Sequence, residues 1–238
     1  NRDSWMSRGL GDVYKRQMLL FWVLSLLTLT LAGDHWMSNA RPTEGWFHSS
    51  AFLDAVLGYT LPILVVLFAS SLVQRTVARR YGVRSGHLMP VPDFTIALYA
   101  LGLFPSNWMF WPFGLLLIPT MPRMDARPWP DRASLGYTAL TVPLVLGGAG
   151  AVLMIAGMSM TPEYLASAGM PLVSAPPLFL SLLAESFLSN DAFIRLLWAH
   201  PWVHAGGMLL LFAWISILPI PTFPGGRLLI ARMGLIDA

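Results

Sequence analysis

Long apolar stretches separated by short polar ones make up most of the chain. Four of them contain at most one charged residue each: 18–33, 52–73, 134–158 and 203–220. A helix needs roughly 20 predominantly apolar residues to cross the hydrocarbon core of a bilayer. We therefore interpret these stretches as transmembrane helices, and the sequence predicts an all-α polytopic membrane protein.

Two further segments are apolar but are not interpreted as simple spans. Residues 94–121 are interrupted by Pro105, Pro112 and Pro119, and broken backbone at membrane depth must be covered by other protein. We interpret this segment as a re-entrant or interfacial excursion. Residues 176–188 lie in a mixed polar and apolar loop and are predicted to form an interfacial helix.

Small residues inside the third predicted span indicate where helices pack closely. Gly147, Gly148, Ala149 and Gly150 follow one another near its middle. Small side chains allow the backbone of a second helix to approach. We therefore expect another helix to cross the third span here.

The ends of the chain carry separate expectations. Residues 1–17 include SRGLGDVYKRQ, which reads as a translated sequencing-library adapter, and we treat this segment as a cloning or assembly artefact. The membrane domain then covers 18–238. We expect natural sequence to be missing at both ends, and a cleaved signal peptide is the competing interpretation of 18–33.

Composition and charge favour a membrane over nucleic acid as the surroundings of this protein. Hydrophobic residues make up 55% of the chain and charged residues 11%, with a net charge of +3 and no cysteine. The lack of cysteine excludes disulfides and thiolate metal sites. Basic residues cluster at the ends of apolar stretches, as in 75–84, 123–132 and at Arg227. The positive-inside rule places these segments in the cytoplasm, the bilayer is the expected partner, and no nucleic-acid partner is expected.

The last predicted span ends in an unusual way. Pro219, Pro221 and Pro224 are followed by Gly225 and Gly226, a composition that forbids a regular helix. Irregular backbone next to a span is typical of a binding site in membrane proteins. Pro219, Pro221, Gly225 and Gly226 are therefore the candidates for a binding groove.

Several segments, taken in order, resemble one protein family. They are ARRYGV at 78–83, PWPDRASL at 128–135, PLF at 177–179, HP at 200–201 and LPIPTFPGGRLL at 218–229. Together they resemble the site-2 protease-type intramembrane metallopeptidases, particularly the archaeal and plastid-like branch that lacks a PDZ domain. The resemblance implies a site-2-protease-like helical core with a re-entrant segment, and a catalytic zinc ion.

The residues that would bind this zinc are replaced. Counting back from ARRYGV, the family's H-E-x-x-H motif falls on the segment from Ser70 and Ser71 to Gln74, and the aspartate of its D-G-G motif falls on Pro224. Zinc hydrolysis requires three N, O or S ligands and a general base. We therefore assign no catalytic residue, no metal ligand and no cofactor. The sequence predicts a pseudoprotease that binds transmembrane segments or partner proteins, in a groove between the Phe52–Val73 and Ala205–Leu218 helices.

Two alternatives remain open. The first is an active zinc metalloprotease with substituted ligands, for which His200 and His204 are at helical spacing but have no glutamate between them. A helix-start contact is the competing role for this pair. The second is a small transporter or channel component, suggested by the broken segments. No charge is evident deep within the predicted spans, which disfavours transport.

Overall fold

The computed structural model describes residues 2–39, 49–83, 88–103, 113–117, 129–168, 200–221 and 223–233. The predicted interfacial helix at 176–188 lies outside these residues. The described helices are α1 (Arg2–Asn39), α2 (Ser49–Asp54), a π-helical segment (Ala55–Thr60), α3 (Leu61–Arg80), α4 (Thr95–Ala100), α5 (Arg132–Ala168), α6 (Pro201–Ile217) and α7 (Pro224–Met233). Two short strands, β1 (Val91–Pro92) and β2 (Leu115–Leu117), complete the described elements.

Three helical stretches are long and apolar enough to cross a membrane: Arg16–His35, Phe52–Arg80 and Arg132–Met160. The prediction of a mostly helical protein with membrane-type helices is therefore confirmed at this level. The apolar helix α6 is shorter, with 17 residues, and stops at Ile217 because Pro219 and Pro221 cannot continue it.

α1 runs opposite to the π-helical segment and α3. Near the end of α1, Thr30 Oγ1 lies 3.3 Å from Thr60 Oγ1, whereas near its middle the ring of Trp22 meets Phe68 edge-on at 6.1 Å. An earlier residue of α1 thus contacts a later residue of α3. The two helices are antiparallel neighbours.

α5 lies between α3, α6 and α7 and runs opposite to α6. At one end Gly157 packs on Val203, and at the other Gly147 faces Ala213. Between these contacts the two backbones nearly touch, because a Cβ added at Gly206 would lie 2.5 Å from the carbonyl oxygen of Gly150. A helix does cross the small-residue stretch of α5, and that helix is α6.

A π-helical segment, Ala55–Thr60, precedes α3, and the sequence analysis did not anticipate it. Pro62 has no N–H to donate to the carbonyl of Gly58, and the N–H of Leu61 instead donates to the oxygen of Val56. The wider turn presents Gly58 to Pro201, whose Cβ would lie 2.5 Å from a Cβ added at the glycine. The first turn of α6 is thereby held against this segment.

Two described pieces of the segment between α3 and α5 are hydrogen-bonded to each other. β1 and β2 pair antiparallel, with Val91 opposite Leu117, and the N–H of Asp93 donates to the oxygen of Gly114 at 3.1 Å. Because positions 93 and 114 are hydrogen-bonded to each other, the residues between them start and finish at the same place. This strand pair is the one β feature of the described residues, in a fold that the sequence predicts as all-α.

The strand pair lies deep in the bundle against α1. Gly114 has a φ of 78°, and a Cβ added there would lie 2.5 Å from the carbonyl oxygen of Thr28, in the apolar part of α1. Only glycine fits this close approach and this backbone conformation. Leu115 and Ile96 are both fully buried. The described residues near both ends of the 94–121 stretch therefore contribute to the core.

Arginines of several helices gather at one end of the bundle. The rings of Tyr81, after α3, and Tyr137, in the second turn of α5, stack with their centroids 6.4 Å apart. Gly136 faces Ala231 of α7. The end of α3, the start of α5 and helix α7 therefore meet, and they bring together Arg79, Arg80, Arg132, Arg227 and Arg232. We call this the arginine end.

Candidate binding site

The three residues that the sequence resemblance aligns with an H-E-x-x-H motif lie inside the bundle. Ser70, Ser71 and Gln74 are fully buried on α3. The hydroxyl of Ser70 donates to the oxygen of Leu67 at 2.8 Å, and the hydroxyl of Ser71 accepts from the N–H of Leu88 at 3.0 Å. The second bond fastens the stretch just before β1 to α3. Both serines are thus used for structure.

This set of side chains does not fit a zinc ion. Serine hydroxyls and a glutamine amide are neutral and weak ligands, and proline at 224 has no side-chain donor. The described residues contain no group of three or more His, Cys, Asp or Glu side chains that could hold a metal. No catalytic step through a metal is derived for this site.

The turn after α6 folds back on itself. The N–H of Ile220 donates to the oxygen of Leu218 at 2.7 Å, and the N–H of Phe223 donates to the oxygen of Ile220 at 2.8 Å. Gly225 and Gly226 are buried, and a Cβ on either would collide with the carbonyls of Ile217 and Ile220. Pro219 and Pro221 are exposed. Gly225 and Gly226 lie in the first turn of α7, so the expectation that they forbid a regular helix is wrong, and they are required by close packing of α7 against the turn.

The turn lies at the same end of the bundle as the buried serines. Gly58 contacts Pro201, and α3 and α6 both run from this contact towards the arginine end. Gln74 follows Gly58 by the same number of residues as Ile217 follows Pro201. Gln74 and the start of the turn therefore lie at a similar height along the bundle. α5 packs against α3, α6 and α7 and so connects the two regions.

An open groove of about 730 Å³ lies at the arginine end between α5 and α7. Two of the predicted groove residues, Pro219 and Gly225, line it, whereas Pro221 and Gly226 do not. Its other lining residues are Arg132, Ala133, Gly136, Tyr137, Leu140, Ile217, Leu228, Leu229, Ala231 and Arg232. The groove differs from the predicted one between the Phe52–Val73 and Ala205–Leu218 helices, because α5 is the main neighbour of α6.

His200 begins α6 at the opposite end from the turn. Its Nδ1 accepts a hydrogen bond from the N–H of Trp202 at 3.2 Å, so the imidazole caps the helix. Burial lowers the pKa of His200, although the nearby charge of Asp54 opposes the shift. A helix of 17 residues is about 25 Å long, which separates His200 from the turn. The predicted helix-start contact is present at His200.

A buried carboxylate that was not predicted from the sequence lies between β1 and α4. Asp93 is fully buried. Its Oδ1 accepts from both the N–H and the hydroxyl of Thr95, at 3.0 and 2.7 Å, and so bends the chain into α4. Its Oδ2 has no hydrogen-bond partner among the described residues. The available signal was an aspartate two residues before a threonine, the pattern of a local side-chain turn.

Comparisons with models of protein families, with curated proteins and with solved structures found no match.

Proposed function

We propose that this chain is a multi-pass membrane protein of the site-2 protease type that has lost zinc chemistry and acts by binding. Its ligands are membrane-embedded segments of partner proteins, which it holds without cutting. In this proposal the arginine end, with the turn at Pro219–Gly226, faces the cytoplasm.

The observation that carries the proposal is the position of Ser70, Ser71 and Gln74. A residue that replaces a zinc ligand is expected to remain on the inner face of its helix, where the metal would lie. All three are fully buried, and Ser71 is hydrogen-bonded to the re-entrant segment. This pattern supports a family core in which ligand positions have been converted into structural contacts.

Restoring the ligands tests the proposal. The variant Ser70→His, Gln74→His, Pro224→Asp returns two imidazoles and one carboxylate, the three protein ligands of an open zinc site whose fourth position is taken by water. We expect the purified unmodified chain to bind no stoichiometric zinc and the variant to bind one zinc ion per chain, measured by metal analysis after dialysis. Adding Ser71→Glu returns the general base.

A matched control places the same ligands on the outer face of α3. Phe68→His and Leu72→His have the same spacing, and these residues are 49% and 42% exposed. Combined with Pro224→Asp, they should bind no stoichiometric zinc. If the variant Ser70→His, Gln74→His, Pro224→Asp also binds no zinc, the site-2 protease arrangement is wrong. If the unmodified chain binds one zinc tightly and a chelator removes both the metal and a proteolytic activity, the chain is an active protease.

Asp93 favours a second candidate function, a cation transporter or channel component. An ionisable residue at membrane depth is costly and is usually functional. Gly114, which is hydrogen-bonded to Asp93, packs against Thr28 in the apolar part of α1. Proteoliposomes loaded with a pH-sensitive or sodium-sensitive dye test this function. Cation flux that is present with the unmodified chain and lost in Asp93→Asn would support transport. The same flux in liposomes with the unmodified chain and in empty liposomes would exclude it.

A further inference from the structure

The groove between α5 and α7 combines an apolar wall with cationic side chains. Leu140, Ile217 and Leu228 form part of the wall, and Arg132 and Arg232 lie in the same lining. Both arginines are exposed. None of the described residues that line the groove is acidic. The groove therefore offers an apolar surface and two positive charges to one ligand.

The carboxylate next to Arg132 is hydrogen-bonded to the start of α5. Asp131 precedes Arg132, but its Oδ1 accepts from the N–H of Ser134 at 2.6 Å and so caps the start of α5. The hydrogen bond from Ser134 lowers the pKa of Asp131, so the carboxylate stays ionised and bound to the helix start. Arg132 and Arg232 are both exposed in the groove and can face a ligand of opposite charge.

The location of the groove selects the kind of ligand. Arg132 is the first residue of the apolar stretch Arg132–Met160, so it marks the level at which that helix leaves the apolar layer. Phosphate groups of lipids lie at this level, and arginine binds phosphate oxygens through two parallel N–H donors. Basic pockets between transmembrane helices are typical sites for anionic headgroups. A volume of about 730 Å³ lies within the usual range for a small-molecule site.

We infer that the groove binds one anionic phospholipid. The phosphate lies at Arg132 and Arg232, and an acyl chain follows the apolar wall at Leu140, Ile217 and Leu228. A partner helix would match the wall, but it would need an acidic residue at one defined height to match the arginines. Every anionic phospholipid molecule carries both an acyl chain for the apolar wall and a phosphate for the arginines. The inference does not depend on the loss of zinc chemistry.

Lipid titration of the full chain in detergent, followed by native mass spectrometry, tests the inference. The probes are dioleoyl phosphatidylglycerol and dioleoyl phosphatidylcholine. We expect one phosphatidylglycerol to bind about thirtyfold more tightly than phosphatidylcholine, the combined effect of two arginines near an anionic group. Arg132→Gln with Arg232→Gln should remove this preference. Equal affinity of the unmodified chain for the two lipids would overturn the inference.

Arg79→Gln with Arg80→Gln is the matched control, because it removes the same charge from the same end of the bundle outside the groove. It should leave the preference unchanged, and an equal loss in the two double variants would show nonspecific charge attraction and overturn the site. Dihexanoyl phosphatidylglycerol should bind more weakly than the long-chain lipid. If it binds as tightly, or if inorganic phosphate displaces the lipid, the ligand is a free phosphate. If a transmembrane peptide with two aspartates at one end displaces the lipid at equal concentration, the groove is a helix site.

Discussion

The hydroxyl of Tyr59 lies 3.0 Å from Met208 Sδ and 3.2 Å from the main-chain oxygen of Phe113. One side chain thus joins the π-helical segment, the last apolar helix and the re-entrant segment. Tyr59 is only 1% exposed. Its hydroxyl is hydrogen-bonded at the point where these three parts of the chain meet.

Tyr59→Phe should destabilise the fold by about 1 kcal/mol, the usual net contribution of one buried hydrogen bond. The ring still fills its space, so the loss reports the hydroxyl alone. Reversible unfolding in mixed micelles measures it. Tyr137→Phe is the control, because Tyr137 is 58% exposed. Equal effects of the two substitutions would contradict the role of the Tyr59 hydroxyl.

Gly206→Ala should destabilise the crossing of α5 and α6. The new Cβ would lie 2.5 Å from the oxygen of Gly150 and 2.7 Å from the nitrogen of Met154, both backbone atoms. Overpacking of this kind costs about 1–3 kcal/mol. Gly148→Ala meets nothing within 4 Å and should be neutral or stabilising, by up to about 1 kcal/mol from helix propensity. The unfolding curve should shift to lower stability for Gly206→Ala and should stay in place or shift to higher stability for Gly148→Ala, and an equal loss of stability in the two variants would argue against this crossing.

The stability of the fold should decrease as the pH is lowered, because His200 is protonated less readily in the folded chain. Burial lowers the pKa of His200 below its ordinary 6.5, so the unfolded chain binds a proton more readily than the folded one. The stabilisation that comes from His200 is therefore complete above pH 6.5. It is lost as the pH falls from there towards the pKa of His200 in the folded chain. His200→Asn keeps an N-cap residue but does not titrate. The difference in unfolding free energy between unmodified chain and variant should change from about pH 8 to about pH 5. A constant difference would show that His200 does not titrate in this way.

All basic segments should face the same side of the membrane. The chain has no cysteine, so single cysteines at Ser85, Ala126 and Ala231 can be labelled without background. The first two positions lie outside the described residues, and Ala231 lies on α7. We expect an impermeant thiol reagent to label none of the three in intact cells and to label Thr43→Cys. Labelling of any of the three from outside would contradict the re-entrant interpretation of 94–121.

The apolar stretches predicted the helices but not which faces meet. Helices that are apolar on every side carry no periodic signal of orientation. The small residues were informative, since the stretch from Gly147 to Gly150 predicted a close approach and Gly150 lies against Gly206. The groove between α5 and α7 could not be predicted in this way, because it depends on how α7 returns after the turn.

The strand pair and the π-helical segment were also beyond the sequence pattern. Leu115–Leu117 is a short apolar run, which is equally compatible with a strand and with a buried helix. Its partner, Val91–Pro92, lies far away in the sequence. For the π-helical segment, Pro62 was the signal, because a proline near the start of a span leaves one carbonyl without its usual donor.

The contacts of Tyr59 and Gly114 set an order of assembly during synthesis. Gly114 can pack against Thr28 as soon as the re-entrant segment leaves the ribosome, but Met208 reaches Tyr59 only after α5 and the following residues have been made. At the usual rates of translation this delay is on the order of ten seconds. During the part of the delay that follows the synthesis of α5, the glycine surface of α5 has no α6 to cover it. The insertion machinery must therefore keep that surface away from other apolar helices until α6 arrives.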